Sequence, residues 1–220
     1  MPQQIRFDEG QMQAVVIIPV KPLAIAKSRL RVALAEQTAD LVLAMALDVV
    51  TAAVSCPDIA GVLVVTNDEM VRESVDRAGA AAIADQPELG LNQALTSAAD
   101  LVRSHHTDAI VISQPADCPA VISADFTALL AELADQGGRA FVSYANGSGT
   151  TTLIASPGLL LDPHYGRTSR SAHLASGAEE LLGARWLRLR QDVDTREDLL
   201  AAASLGVARH TQQWMRLHLT

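Results

Sequence analysis

The sequence predicts an α/β fold in which a single-domain, mixed, mostly parallel sheet carries helices on both faces. Short apolar runs rich in β-branched residues alternate with longer segments of helical pattern. These runs contain few polar residues, as expected for strands that are covered on both faces. Of the 220 residues, 49% are hydrophobic but only 3% are aromatic, so aliphatic side chains must form the core. Without a repeat or a linker, we expect one domain over 1–220.

The first half of the chain begins with a buried strand. Residues 1–12 form a loose lead-in, and Ala14–Val20 is an apolar run in which Pro19 lies near the end, where a strand can spare an N–H. The elements expected next are a helix over Thr38–Val54, a strand over Gly61–Thr66, a helix from Asn67 and Asp68 to Ala78, a strand over Ala80–Ala84 and a helix from Gly90 to about Ser104.

The second half continues the alternation and ends in a tail with no clear pattern. The expected elements are a strand over Asp108–Ser113, a helix capped by Ser123 and ending near Asp135, strands over Arg139–Ser143 and Thr151–Ala155, a helix over Ser169–Gly177, a strand over Trp186–Leu189 and a helix from Thr195 to about Leu205. In the tail at 206–220, Trp214, Met215 and Leu217 could pack on their own core or on a second copy, which would make a homodimer.

Composition and charge exclude several classes of protein. The net charge of −8 argues against a nucleic-acid-binding surface, which needs a basic face. No unbroken apolar run approaches the roughly 18 residues of a membrane span, and the polar N-terminal residues do not resemble a signal peptide. Cys56 and Cys118 form neither a disulfide framework nor a zinc motif. We therefore expect a reduced, cytoplasmic protein with neither a nucleic acid nor a membrane as partner.

A cationic segment follows the first predicted strand. Lys21, Lys27, Arg29 and Arg31 occur there with no acidic residue among them, although the chain as a whole is acidic. Open α/β sheets bind ligands at the carboxyl ends of their strands, which is where this segment begins. These residues could be ordinary surface charges, but an acid-free cluster in an acidic chain favours a ligand that carries phosphates. No GxGxxG or GxxxxGK[ST] motif is present, so neither a dinucleotide fold nor a P-loop is supported.

Three aspartates provide candidate metal ligands. Asp117 follows a predicted strand, and Asp192 and Asp194 lie two residues apart after another, so in extended chain both would face the same side. Taken alone, Asp194 could equally cap the next helix. Because Mg²⁺ prefers carboxylate oxygens, substrate phosphates and water, the three together predict a Mg²⁺ site. Lys21, Lys27 and Arg29 are then expected to hold a triphosphate beside it.

Six segments, in order, resemble the guanylyltransferases that activate 2-phospho-L-lactate or phosphoenolpyruvate with GTP in the biosynthesis of coenzyme F-420. Each segment is weak alone, but their order and separations together are fairly specific and span most of the chain. They are VKPL and AKSRL within 20–30, GLNQAL at 90–95, PADCP at 115–119, GSGTT at 147–151, YG with S and H within 165–173, and DVDT with DL within 192–199.

The resemblance implies a Rossmann-like nucleotidyltransferase fold of the GT-A type, with GTP as co-substrate and Mg²⁺ as cofactor. It puts the metal-binding aspartates of the catalytic group at Asp117, Asp192 and Asp194, beside Lys27. It puts Asn92 near the guanosine, and Thr150, Gly166 and Ser169 at the acceptor, a small phosphorylated three-carbon acid. It also implies a downstream transferase that takes up an unstable product.

The acceptor segment departs from the family pattern. Tyr165, Gly166 and Arg167 stand where the family usually has Phe-Gly-Pro, and Ser171, Ala172 and His173 stand where it often has Ala-Arg-His. Either Arg167 or Arg170 replaces the missing cation, with His173 also in the pocket, or the acceptor is different.

The reaction that these features imply is attack of an acceptor phosphate oxygen on the α-phosphorus of GTP, with release of pyrophosphate. An anionic nucleophile needs no general base, which fits a sequence without a persuasive pair of histidine and acid. Phosphoenolpyruvate is preferred over 2-phospho-L-lactate because residues 176–178 resemble the actinobacterial members. Two alternatives stay open: a nucleotidyltransferase using CTP or another acceptor, such as 3-phosphoglycerate or a sugar phosphate, and a degenerate homologue that only binds nucleotide.

Overall fold

The computed structural model of the chain describes residues 14–27, 30, 34, 37–85, 89–145 and 147–219. The strands are β1 (Ala14–Pro19), β2 (Ile59–Val65), β3 (Ala81–Ile83), β4 (Ile110–Ser113), β5 (Arg139–Ser143), β6 (Thr150–Ala155) and β7 (Glu179–Glu180). The helices are α1 (Gln37–Val54), α2 (Glu69–Arg77), α3 (Leu91–His105), α4 (Ser123–Gln136), α5 (Ser169–Ala175), α6 (Leu187–Arg190), α7 (Arg196–Leu205) and α8 (Arg209–His218), with a 3₁₀ turn over Ala184–Trp186.

The strands form one seven-stranded sheet in the order β3-β2-β1-β4-β6-β5-β7. Strand β1 pairs in parallel with β2 and β4, and β2 pairs in parallel with β3. Strand β6 is antiparallel to both β4 and β5, whereas β7 runs parallel to β5. The predicted mixed, mostly parallel sheet is confirmed, and the carboxyl ends of β1, β2 and β4 meet at one edge.

Alternating residues of β1 enter two separate cores, which explains the uninterrupted apolar run. Val16 and Ile18 pack in a core that includes residues of α1, α4 and α8. Val15 and Ile17 pack in a second core that includes residues of α3. Successive strand residues face opposite sides of a sheet, so the two cores lie on its two faces. The prediction of helices on both faces is confirmed.

Helix α1 is the central helix of the larger core. Among the described residues it is the one helix long and apolar enough to cross a membrane, and 56% of that stretch is buried inside the fold. Its buried Asp48 accepts hydrogen bonds from the backbone N–H groups of His210 and Thr211, each at 2.8 Å. These N–H groups belong to the first turn of α8, where a helix has no partners of its own.

The C-terminal tail is therefore a helix packed on its own chain. Trp214 is 4% exposed and lies in the core with α1, whereas Leu217 is 69% exposed. Of the two alternatives for Trp214, packing on its own core is the one observed. A homodimer stays a prediction.

Two local predictions were wrong. Trp186–Leu189 is a 3₁₀ turn continuing into a short helix, because Trp186 and Leu189 are buried three residues apart while Leu187 between them is 48% exposed. The edge strand is instead β7, two acidic residues without an apolar pattern. Ser123 is the first residue of α4 rather than its cap, since Asp125 accepts the N–H of Ile122 at 2.9 Å.

Candidate active site

A cleft of about 710 Å³ lies at the carboxyl edge of the sheet. Its walls come from the segment after β1, the start of α3, the segment after β4, and side chains next to β6. The lining residues that carry chemistry are Lys21, Lys27, Asp117, Tyr144, Thr150, Tyr165 and Asp194. A volume of this size is typical of sites that enclose a small molecule.

Three carboxylates meet at this cleft. One oxygen each from Asp117, Asp192 and Asp194 lies within 4.8 Å of the other two. The backbone N–H of Val193 donates to the carbonyl of Asp117 at 2.9 Å, which joins the segment after β4 to the segment after α6. The aspartates at 192 and 194 follow a helix and not the strand that was predicted, but the prediction that the three acids come together is met.

The cap of helix α7 holds Asp194 in place. Thr195 is the N-cap, and Asp198 accepts hydrogen bonds from the backbone N–H groups of Asp194 at 3.1 Å and Thr195 at 2.8 Å. The alternative that Asp194 itself caps the helix is therefore wrong. Asp198 performs the reciprocal half of a capping box, and the carboxylate of Asp194 faces Lys27 instead.

Lys27 is shared between two of the three carboxylates. Its ammonium Nζ contacts Asp117 and lies 2.6 Å from Asp194. Burial acts to lower the pKa of Lys27, but the two neighbouring negative charges outweigh burial and raise it. Lys27 is also one of two non-glycine residues with positive φ in the described chain, at 51°. A left-handed backbone is unusual for lysine and persists where surrounding contacts impose it.

Asp192 has a raised pKa in this cluster. Burial raises its pKa to about 7, with repulsion from Asp117 as the next cause and the charge of Lys27 opposing both. Crowded carboxylates raise one another's pKa until a cation neutralises them. Three carboxylates this close together have the electrostatic character of a cation site, and within the described residues Lys27 contacts two of them.

The donor set fits a hard divalent cation. Three carboxylate oxygens close together are ligands that Mg²⁺ takes when substrate phosphates and water complete its coordination. Cys118, next to Asp117, is not part of this set. Its side chain is fully buried, burial raises the pKa of its thiol well above the ordinary value, and the thiol donates to the carbonyl of Leu189 at 3.7 Å.

The cationic segment is described only in part. Lys21 is exposed where it lines the cleft, and Lys27 sits in the carboxylate cluster. Arg29, the third predicted triphosphate ligand, lies outside the described residues, as does Arg31.

Thr150 lines the cleft in front of a buried histidine. The Thr150 hydroxyl lies 2.9 Å from Nδ1 of His173, and Nε2 of His173 accepts the backbone N–H of His164 at 2.9 Å. Because Nε2 accepts, Nδ1 carries the proton and donates to Thr150. Burial lowers the pKa of His173 to about 4, which keeps the ring neutral. The sequence predicts His173 in the acceptor pocket, but His173 does not line the cleft. It instead orients the Thr150 hydroxyl through its hydrogen bond.

The structure directs Arg170 away from the cleft. Its guanidinium binds both carboxylate oxygens of Glu180, in the edge strand β7, at 2.7 to 3.0 Å. From the sequence we expected this charge to face the acceptor. Ser169 is 2% exposed at the start of α5, where its N–H donates to the carbonyl of Gly166 at 3.2 Å. Gly166 and Arg167 are exposed next to this turn.

Tyr144 is a cleft residue that the sequence analysis missed. A Cβ atom at position 149 would lie 2.3 Å from its ring, so only glycine leaves room for the aromatic side chain there. The backbone N–H of Tyr144 donates to the carbonyl of Gly149 at 3.1 Å, closing the turn between β5 and β6. The glycine-rich GSGTT segment was recognised, but its role in seating an aromatic ring could not be read from it.

Asn92 lies on the first turn of α3 but does not line the cleft, although its neighbours Leu91 and Ala94 do. Its carboxamide oxygen accepts the backbone N–H of Tyr165 at 2.7 Å, and its carboxamide nitrogen donates to the backbone carbonyl of Tyr165 at 3.0 Å. The predicted contact with guanosine would have to compete with both hydrogen bonds.

Fold and site together define a nucleotidyltransferase: a mixed sheet with an antiparallel β6, and a cleft at its carboxyl edge that holds clustered aspartates and a lysine. The fold is similar to a crystal structure described as a nucleotide-diphospho-sugar transferase from Desulfovibrio desulfuricans, with a TM-score of 0.67, 15% identity, and 93% and 97% of the two chains covered.

A family model described as "Guanylyl transferase CofC like" matches residues 14–219, and the chain belongs to this family. A relative from Streptomyces coelicolor, named phosphoenolpyruvate guanylyltransferase, is 44% identical over 206 residues, covering 91% of this chain and 94% of its own. One of the same name from Salinispora arenicola is 43% identical over 197 residues, covering 89% and 90%. The predicted family is confirmed.

Proposed function

We propose that this protein transfers GMP from GTP to the phosphate of phosphoenolpyruvate and releases pyrophosphate, as a step in coenzyme F-420 biosynthesis. The observation that carries the proposal is the cluster of Asp117, Asp192 and Asp194 next to Lys27, of which Asp117 and Asp194 line the cleft, in a chain of the guanylyltransferase family. The names of the relatives above support phosphoenolpyruvate as the acceptor.

The chemistry needs little beyond positioning and neutralisation of charge. A phosphate oxygen of the acceptor forms a bond to the α-phosphorus of GTP while the bond to the β-phosphate breaks and pyrophosphate leaves with the electron pair. The attacking oxygen is already an anion, so no side chain has to remove a proton. His173 fits this scheme, since its imidazole is buried, does not line the cleft and is hydrogen-bonded to Thr150 and the backbone of His164. Holding reactants in line and balancing charge then supply the rate enhancement.

Asp117, Asp192 and Asp194 would hold Mg²⁺, which when bound supplies positive charge against the phosphates. Lys27, Lys21 and Arg29 would add fixed positive charge for the triphosphate. Local cations are needed because the protein carries a net charge of −8 and both substrates are polyanions. For the acceptor we propose Thr150, which lines the cleft, together with Gly166 and Ser169.

Pyrophosphate release in a panel of substrates tests the proposal. GTP or CTP is combined with Mg²⁺ and one of phosphoenolpyruvate, 2-phospho-L-lactate or 3-phosphoglycerate, with the downstream transferase present to draw off an unstable product. We expect release with GTP and phosphoenolpyruvate, and little with CTP. Pyrophosphate release with a different acid would mean that this acid, and not phosphoenolpyruvate, is the acceptor. GTP binding without pyrophosphate release in any mixture would indicate a protein that only binds nucleotide.

A variant pair tests the carboxylate cluster in the same assay. Asp117→Asn removes one charged ligand and should lower turnover by several orders of magnitude without unfolding the protein. Asp76→Asn, an equal change at an exposed position of α2, should leave turnover unchanged. Near-normal turnover by the Asp117 variant would overturn the role of the cluster.

Buried Cys56 and Cys118 are both free thiols, which favours a reducing compartment, and we propose a cytoplasmic location on that ground.

A further inference from the structure

Asn92 and Tyr165 form a contact between segments 73 residues apart. The Asn92 side-chain oxygen accepts the backbone N–H of Tyr165 at 2.7 Å, and the Asn92 side-chain nitrogen donates to the backbone carbonyl of Tyr165 at 3.0 Å. A carboxamide that pairs with both groups of one residue fixes the position and the orientation of that backbone. We call this contact the Asn92–Tyr165 clamp.

The opposite end of Tyr165 is fixed as well. Its hydroxyl donates to the carbonyl of Thr151 at 2.9 Å and lies 3.0 Å from the hydroxyl of Ser113, so it joins the end of β4 to the start of β6. Its ring meets that of His173 edge-on, with centroids 5.5 Å apart. Tyr165 thus connects α3, the sheet edge and the histidine that orients Thr150.

The clamp fixes a segment next to residues that we propose for the acceptor. Tyr165 and Thr150 both line the cleft, and His173 binds Thr150 and the backbone of His164, the residue before Tyr165. Release of the clamp would therefore loosen the segment from His164 to Gly166, the Tyr165 ring and, through His173, the Thr150 hydroxyl. The start of α3 would keep Ala94 and Leu95 at the cleft, since these residues are placed by the helix and its core.

We infer that Asn92 is a positioning residue for the acceptor, acting through Tyr165, and does not read the guanine base. This inference rests on the proposed function for the identity of the two substrates. Asn92 does not line the cleft, and its carboxamide uses one N–H and one oxygen lone pair to hold the backbone of Tyr165.

Substitution at Asn92 separates the two roles. Asn92→Ala removes two hydrogen bonds of ordinary strength, and we expect the KM for phosphoenolpyruvate to rise by roughly tenfold or more. The Kd for GTP, measured by calorimetry without acceptor, and the preference for GTP over CTP should stay within about twofold of the unmodified protein, because no nucleotide contact has been removed. Gln93→Ala is the matched control, since Gln93 is exposed on the same turn and donates to Ser97.

Tyr165→Phe provides a second variant that keeps the ring and the clamped backbone but removes the hydroxyl contacts. We expect it to raise the KM for phosphoenolpyruvate by a smaller factor, roughly threefold, again without change in the Kd for GTP. A rise in the Kd for GTP of tenfold in Asn92→Ala, or a relaxed choice between GTP and CTP, with an unchanged KM for phosphoenolpyruvate, would overturn the inference.

One further measurement keeps the clamp testable if no acid supports turnover in the unmodified protein, which would be a failure of the proposed function alone. Hydrogen exchange of the peptide that contains Tyr165 should speed up in Asn92→Ala and not in Gln93→Ala, while the Kd for GTP is unchanged. Unchanged exchange, or a weakened Kd for GTP, would contradict the clamp in that case as well.

Discussion

At the scale of single residues, the cluster is defined by the contacts of Lys27. Its ammonium group contacts two of the three clustered carboxylates, Asp117 and Asp194. A divalent cation bound to the same oxygens would compete with Lys27, because both need the same lone pairs. Lys27 therefore has two partners available, the aspartates and the phosphates of the substrate.

Replacement of Lys27 by methionine should strengthen metal binding while it weakens catalysis. We expect Lys27→Met to bind Mn²⁺, followed by electron paramagnetic resonance without nucleotide, roughly tenfold more tightly, the order expected from removing one partly buried competing charge. Lys21→Met, at an exposed position of the cleft, is the control and should leave Mn²⁺ affinity unchanged. Equal or weaker binding of Mn²⁺ by Lys27→Met would show that no competition exists.

The buried His173 links stability to pH. Its pKa in the folded protein is about 4, lowered first by burial, whereas an ordinary histidine has a pKa near 6.5. Between these values the unfolded chain binds the proton and the folded protein does not, so stability is full above about pH 6.5 and falls as the pH drops towards 4. Protonation would also remove the acceptor that Nε2 offers to His164.

Urea denaturation over this pH range measures the effect. The unmodified protein should lose on the order of 2 kcal/mol in the free energy of unfolding between pH 6.5 and 4 through this group, and His173→Gln should flatten that part of the slope. His105→Gln, at an exposed position near the end of α3, should keep the slope. Identical slopes for all three proteins would place the linkage elsewhere.

At the scale of elements, the C-terminal helix α8 is attached through its first turn. Asp48 of α1 accepts the N–H groups of His210 and Thr211, and Trp214 packs in the core beside α1. Asp48→Ala would leave two buried donors without this acceptor and should lower the free energy of unfolding by about 1 to 3 kcal/mol. Asp40→Ala, on the exposed side of α1, is the control for helix propensity and charge. A loss no greater than that of the control would contradict this attachment.

The elements that the sequence predicted well are those with a strong local pattern. The strands β1, β2 and β4 are apolar runs. Helix α1 is a long apolar segment, and α7 begins at a clear cap, Thr195. The failures are short pieces in which pattern is ambiguous. Trp186–Leu189 is too short to distinguish strand from helix, and β7 is recognisable only from its pairing with β5.

The candidate site divides in the same way. The carboxylate cluster was predicted by a route that was correct only for Asp117, which follows β4. Asp192 and Asp194 follow the helix α6 and not a strand, and the hydrogen bond from Val193 to Asp117 joins the two segments. The partners of Arg170 and Asn92 were not predicted, because Glu180 and the backbone of Tyr165 are brought to them by tertiary structure. Residue type alone indicated that these positions are charged or polar, but not which groups the two side chains bind.

At the scale of the whole molecule, one sheet organises both the core and the chemistry. Its two faces are covered by helices, and at its carboxyl edge Lys21, Lys27, Asp117, Asp194 and Thr150 line one cleft. Lys21 and Lys27 bring two cationic side chains to this cleft in a protein of net charge −8, where two polyanionic substrates must meet.

The measurement that tests the central claim most directly is ³¹P nuclear magnetic resonance of GTP, phosphoenolpyruvate and Mg²⁺ with the protein. Attack at the α-phosphorus predicts free pyrophosphate together with two mutually coupled signals from a new phosphoanhydride between GMP and phosphoenolpyruvate. Formation of GDP would mean that transfer occurs at the γ-phosphate instead. That result, or a spectrum that stays unchanged while GTP binds, would contradict the account.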